Sequence, residues 1–183
     1  MILKIVPGGA FVENTYILQS KNSKELILVD PGSQTLEIEE SLSDLSFTSI
    51  HIWNTHGHLD HAYGADYFIK KYKANFNIHK KEIPILQAMT TAASRFGIPE
   101  FSDAVVPKID NFIEEEKQYE VGNLNFKTLL VPGHSPGSIC FHFTRELNPE
   151  EGLEEDLMIC GDTVFAGSVG RVDLTGGTNM EEL

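Results

Sequence analysis

The chain has 183 residues, 41% of them hydrophobic, a formal net charge of −13 and a pI of about 4.8. That length and apolar content suffice for one ordinary domain, residues 1–183, with a core of its own. No run of eighteen apolar residues is present to span a bilayer, and so acidic a surface repels polyphosphate backbones, which argues against membranes and nucleic acids as partners.

Read in chain order, strands are expected at 1–6, 13–18 and 26–29, the last ending on an Asp30-Pro31-Gly32 turn. The opening segment, Met1 to Pro7, lacks the basic flank and long apolar stretch of a secretory signal. A helix at 35–44 and a strand at 50–54 follow. The helix expected at 63–72 carries Tyr63, Tyr67 and Phe68 on an apolar face and is basic at its C-terminal end. A strand at 75–79 and a helix at 81–95 come next. Strands at 118–121 and 124–130 flank the hairpin signal Val121-Gly122-Asn123-Leu124, and further strands are expected at 138–143 and 157–164. Periodicity alone makes this a mixed α and β chain. The acidic stretch from Glu150 to Asp156 reads as an exposed loop. Cys140 and Cys160 lie in apolar runs and read as reduced core residues, which points to a cytoplasmic location.

Three segments carry chemistry. Thr55-His56-Gly57-His58-Leu59-Asp60-His61 follows an apolar strand and supplies imidazoles and a carboxylate, ligands that zinc and its neighbours accept. In an extended loop His56 and His58 point to one side, and Asp60 and His61 can aim at a second cation. Val131-Pro132-Gly133-His134-Ser135-Pro136-Gly137-Ser138 places His134 in a tight loop between two strands. Gly161-Asp162-Thr163 puts a carboxylate at the end of a buried strand, costly unless paired or bound to a cation. Asp30 reads either as a turn carboxylate only or as one buried near the site that could brace a ligand histidine. His79 reads as a cap or surface group, and His51 and His142 as surface groups.

In type, order and approximate spacing these segments resemble the metallo-β-lactamase-fold hydrolase superfamily, and within it the short single-domain, glyoxalase II-like (hydroxyacylglutathione hydrolase-like) branch. The run from Gly167 to Leu174 and the pair Gly176-Gly177 resemble the same branch. The resemblance implies an αββα sandwich. It implies one metal held by His56, His58 and His134, and a second held by Asp60 and His61, with Asp162 bridging. It gives Asp60 a catalytic role in orienting the attacking water, and Arg171 a role in binding the glutathione part of a substrate. The family's seventh ligand, a histidine in a Gly-His-Gly-type loop, has no counterpart, since the last histidine is His142. On this reading the fold is C-terminally incomplete and the second metal site is one ligand short.

The resemblance implies a metal-dependent thioesterase with one or two Zn2+ per chain, iron or manganese being the alternatives. Its substrate would be a small-molecule thioester such as S-lactoylglutathione, attacked by hydroxide generated at the metal. Two other readings stand beside it. One is a mononuclear iron persulfide dioxygenase using His56, His134 and Asp162. The other is a weakly active or non-catalytic metal-binding domain. The oligomeric state is left open.

Overall fold

The computed structural model describes residues 1–174. Its first sheet has the order β1 (Ile2–Gly8), β2 (Glu13–Gln19), β3 (Glu25–Val29), β4 (Ser49–Trp53), β5 (Asn75–His79), β6 (Asn111–Ile113). The first three strands are antiparallel neighbours, and β3 to β6 run parallel. Parallel neighbours need crossovers. α1 (Thr35–Leu42), then α2 (Leu59–Ala62) and α3 (Ala65–Tyr72), then α4 (Ile83–Gln87) and α5 (Met89–Phe96) occupy the three crossovers in turn. The second sheet is an antiparallel meander of β7 (Gln118–Val121), β8 (Leu124–Leu130), β9 (Ile139–Phe143) and β10 (Leu157–Ile159). A ribbon of β11 (Val164–Phe165) and β12 (Ser168–Val169) follows.

β3 explains the layering. Its run Leu26-Ile27-Leu28-Val29 is buried on both faces. Side chains alternate across a strand. Leu26 and Leu28 therefore pack with Ile38, Phe68 and Phe76 under the helices, while Ile27 and Val29 pack with Trp53, Phe126 and Phe141 between the sheets. Trp53 meets Phe126 edge-on, with ring centroids 4.9 Å apart. All five α-helices bury residues in the first of these clusters, so the described residues build three of the four layers of the expected αββα sandwich. No helix among the described residues is long and apolar enough to cross a membrane.

Several expectations need correction. The helix expected at 81–95 is three pieces, a 3-10 turn at Lys80–Glu82 followed by α4 and α5. Pro84 stands in the first turn of α4. It has no N–H to donate and clashes with a preceding helical turn, so a helix can start there but not run through. The strand expected at 157–164 stops at Ile159, because Gly161 turns the chain with φ +51°. The three-residue β6 is too short, and with Phe112 exposed too weakly patterned, to signal itself. His79 is buried, not a surface group. Glu151 is also buried, because its carboxylate accepts hydrogen bonds from the Ser20 hydroxyl and the Lys21 N–H.

Candidate metal centre

The ends of β3 and β4 begin the site. Val29 pairs with Trp53, so the residues that follow each, Asp30 and Asn54-Thr55, emerge side by side. Asp30 is fully buried and turns in the left-handed region, φ 49°. Its carboxylate accepts the Thr55 N–H at 2.7 Å, the Thr55 hydroxyl at 2.6 Å and the His61 Nδ1–H at 3.1 Å. Thr55 gives its one hydroxyl hydrogen to Asp30, so toward His56 Nδ1, 3.0 Å away, it can only accept. That fixes the His56 tautomer and leaves Nε2 as a lone pair. Nε2 is buried and has no hydrogen-bond partner among the described residues. The Asn54 side-chain amide donates to the main-chain oxygens of His56 (3.3 Å) and His61 (2.8 Å), which closes the loop onto the start of α2.

His134 arrives from the second sheet, in the loop between β8 and β9. That loop is closed by the Val131 N–H on the Ser138 carbonyl at 2.9 Å. The Nδ1–H of His134 donates to the main-chain oxygen of Arg171 at 2.8 Å, so its Nε2 is also presented as a lone pair. Nε2 of His134 lies 2.9 Å from Nδ1 of His58. One ligand atom each from His56, His58 and His134 falls within a mutual 4.8 Å. Tetrahedral zinc with nitrogen ligands at about 2.0–2.1 Å holds them about 3.3 Å apart, a separation within the span of this group.

A second group adjoins it. Asp60, His61 and Asp162 also bring ligand atoms within 4.8 Å of one another. His61 Nε2 is 3.2 Å from Asp162 Oδ1 and 3.6 Å from Asp60 Oδ2. The other oxygen of Asp162, Oδ2, is 3.6 Å from His134 Nε2. Asp162 therefore faces both groups, one oxygen to each. Asp30, His56 and His61 form a third close set. The Asp30 oxygens there are already occupied by Thr55 and the far side of His61, which makes Asp30 a brace.

The electrostatics match this division. Burial, aided by the neighbouring His61, His58 and His134, holds His56 neutral, well below the usual histidine range. Burial also acts against charge on His61, but Asp60, Asp162 and Asp30 outweigh it and hold that imidazole well above the usual range. Asp162 is lowered, since His61, His134 and His58 outweigh its burial. In the metal-free chain a proton on His61 thus stands where a cation would balance the same carboxylates.

Other expected residues fall differently. The Arg171 guanidinium is exposed and forks onto Asp173 at 2.7 and 2.8 Å; its main-chain carbonyl is the part that meets the site. Gly170 is required by close approach, because a Cβ there would sit 1.8 Å from the Asp162 carbonyl oxygen. Cys140 and Cys160 are free thiols. Gly176-Gly177 lie outside the described residues. Sequence reasoning missed Thr55 as the partner of His56, although it stands inside the histidine motif. It also missed two buried carboxylates, Glu13 and Glu82. Burial, with the charge of Asp60 adding to it, pushes Glu13 up to about 7.

A sequence profile of the metallo-beta-lactamase superfamily matches residues 8–181. The chain belongs to this superfamily. Within it, the chain is 30% identical to the probable metallo-hydrolase YqgX of Bacillus subtilis, over 97% of this chain and 78% of that protein. It is 28% identical to the hydroxyacylglutathione hydrolase GloC of Haemophilus influenzae, over 97% of this chain and 78% of the relative. The crystal structure of TTHA1623 in a di-iron-bound form superposes with a TM-score of 0.76 at 25% identity, covering 98% of this chain and 81% of that one. The superfamily implies a metal cofactor, and the chain's residues fit one. Two imidazoles are tautomer-locked with lone pairs inward, and a carboxylate faces both ligand groups.

Proposed function

We propose that the chain is a metal-dependent thioester hydrolase acting on S-acylglutathione conjugates such as S-lactoylglutathione. The observation that carries a two-cation centre is the placement of Asp162, with Oδ1 at 3.2 Å from His61 and Oδ2 at 3.6 Å from His134. His56, His58 and His134 would hold one cation, Asp60 and His61 the other, and Asp162 would be shared. Zinc is our first assignment; the di-iron-bound form of TTHA1623 supports iron as an alternative, and manganese accepts the same imidazole and carboxylate ligands. When bound, such a pair supplies Lewis-acid polarisation of a carbonyl and a water acidic enough to attack at neutral pH.

The chain's own residues do the rest. Thr55 and the Arg171 carbonyl hold His56 and His134 in the tautomers a cation needs. Asp30 fixes His61 from behind. Asp60, half-buried at the edge of the second group, is placed to accept a hydrogen bond from the attacking water and orient it. A thiolate leaves without a proton donor, which suits a site whose polar groups are committed to cations. The relationship to the Haemophilus influenzae hydroxyacylglutathione hydrolase supports the same substrate class.

The test measures S-lactoylglutathione hydrolysis, metal content and oxygen uptake on glutathione persulfide with one preparation. Thioester cleavage that is abolished by chelation and restored by zinc supports the proposal. One iron per chain with oxygen uptake and no thioester cleavage would replace it by the dioxygenase reading.

A further inference from the structure

Glu82 is a fully buried carboxylate at the end of the 3-10 turn that follows β5. Among the described residues it forms no ion pair. Its oxygens are satisfied by the main chain of two distant loops. Oε2 accepts the Gly57 N–H at 2.8 Å, and Oε1 accepts the Gly137 N–H at 2.6 Å. Gly57 stands between His56 and His58, and Gly137 stands in the loop of His134. One rigid planar group therefore ties together both loops that supply the three-histidine group. Both loops lie outside the sheet ladders; besides Glu82 they are cross-linked by the Ile139 N–H on the Thr55 carbonyl at 2.9 Å and by the ligand imidazoles themselves, His58 Nδ1 lying 2.9 Å from His134 Nε2.

The geometry points to Glu82 as the positioning residue of the three-histidine metal site, holding the His56-Gly57-His58 loop and the His134 loop at the separation a single cation requires. This rests on the two-cation reading above. His61 is braced by Asp30, and none of Asp60, His61 and Asp162 makes a hydrogen bond to Glu82 among the described residues. The role is therefore selective for one of the two sites, which a general contribution to stability would not be. A carboxylate is the side chain that can accept from two N–H groups at once. In Glu82→Gln one acceptor oxygen becomes an NH2 that meets a main-chain N–H, so one tie is lost. In Glu82→Asp the charge stays, but the reach shortens by one methylene.

The experiment titrates the metal-free full chain with Co2+, followed by calorimetry and by the visible absorption of the bound ion. It is done for wild type, Glu82→Gln and Glu82→Asp. Each is repeated with Asp60→Ala, which disables the second group and isolates the three-histidine site. Outer partners of metal ligands contribute about 10–100-fold to affinity. We expect a loss in that range at the isolated site for Glu82→Gln. His61→Ala in place of Asp60→Ala should show the same loss. With the three-histidine site disabled instead by His56→Ala, adding Glu82→Gln should cause no further loss, Co2+ affinity at the second group staying within about twofold. Should Glu82→Gln fail to fold, Glu82→Asp is read in the same way. Unchanged Co2+ affinity and spectrum, with only a lower melting temperature, would overturn the inference while leaving the metal centre intact. Failure of the wild-type chain itself to bind Co2+ would instead remove the metal reading, and this inference with it.

Discussion

Replacing Glu13 by glutamine should change how stability depends on pH. Glu13 is 7% exposed, at the start of β2. Burial, reinforced by the charge of Asp60, pushes its carboxyl from 4.5 to about 7. The folded chain then keeps a proton that the unfolded chain releases across this window, so stability falls as pH rises from 4.5 to about 7. A shift of this size corresponds to about 3 kcal/mol once fully developed, at about 1.4 kcal/mol per unit. Between about pH 5.5 and 8, clear of the isoelectric point, about 2 kcal/mol of it accumulates. The amide of the Glu13→Gln variant has no proton to lose, so this part of the pH dependence should vanish. The assay is urea unfolding of the chelator-treated wild-type and Glu13→Gln chains at several pH values. The stability of the variant relative to wild type should rise by about 2 kcal/mol from about pH 5.5 to 8. His61 and the other titrating groups are common to both chains and largely cancel. Parallel curves, or a gap that moves the other way, would refute the reasoning.

Three further outcomes are expected. His134→Ala should lose the metal of the three-histidine group and thioester cleavage together; elemental analysis showing wild-type metal content would contradict the ligand assignment. Asp162→Asn should lower both metals, because a neutral amide is a poor bridge, whereas loss of one alone would make Asp162 a terminal ligand. Carboxylates hold His61 charged in the metal-free chain against the effect of burial. Metal uptake should therefore release a proton near neutral pH and tighten as pH rises. Calorimetry in buffers of different ionisation enthalpy reads that proton directly, and identical heats in all of them would exclude it.

The metal-ligand candidates were legible in the sequence because their signal is local. His56, His58, Asp60 and His61 lie in one short segment, and proline and glycine on either side of His134 announce a constrained loop. β3 was legible for the same reason, since burial on both faces demands an unbroken apolar run. The Pro84 break was also present in the sequence, inside the helix expected at 81–95.

The supports of the site carry no local signal. Glu82 meets Gly57 across 25 positions and Gly137 across 55, and Asp30 meets His61 across 31. A glutamate in such a segment reads as solvated until the fold buries it, since charged side chains are mostly exposed. Residue type and spacing along the chain therefore determine which side chains can ligate a cation. Only the pairing of β3 with β4, and the packing of one sheet on the other, decide which carboxylates end up buried against them. A hydrogen bond acts over about 3 Å in space and is indifferent to separation along the chain.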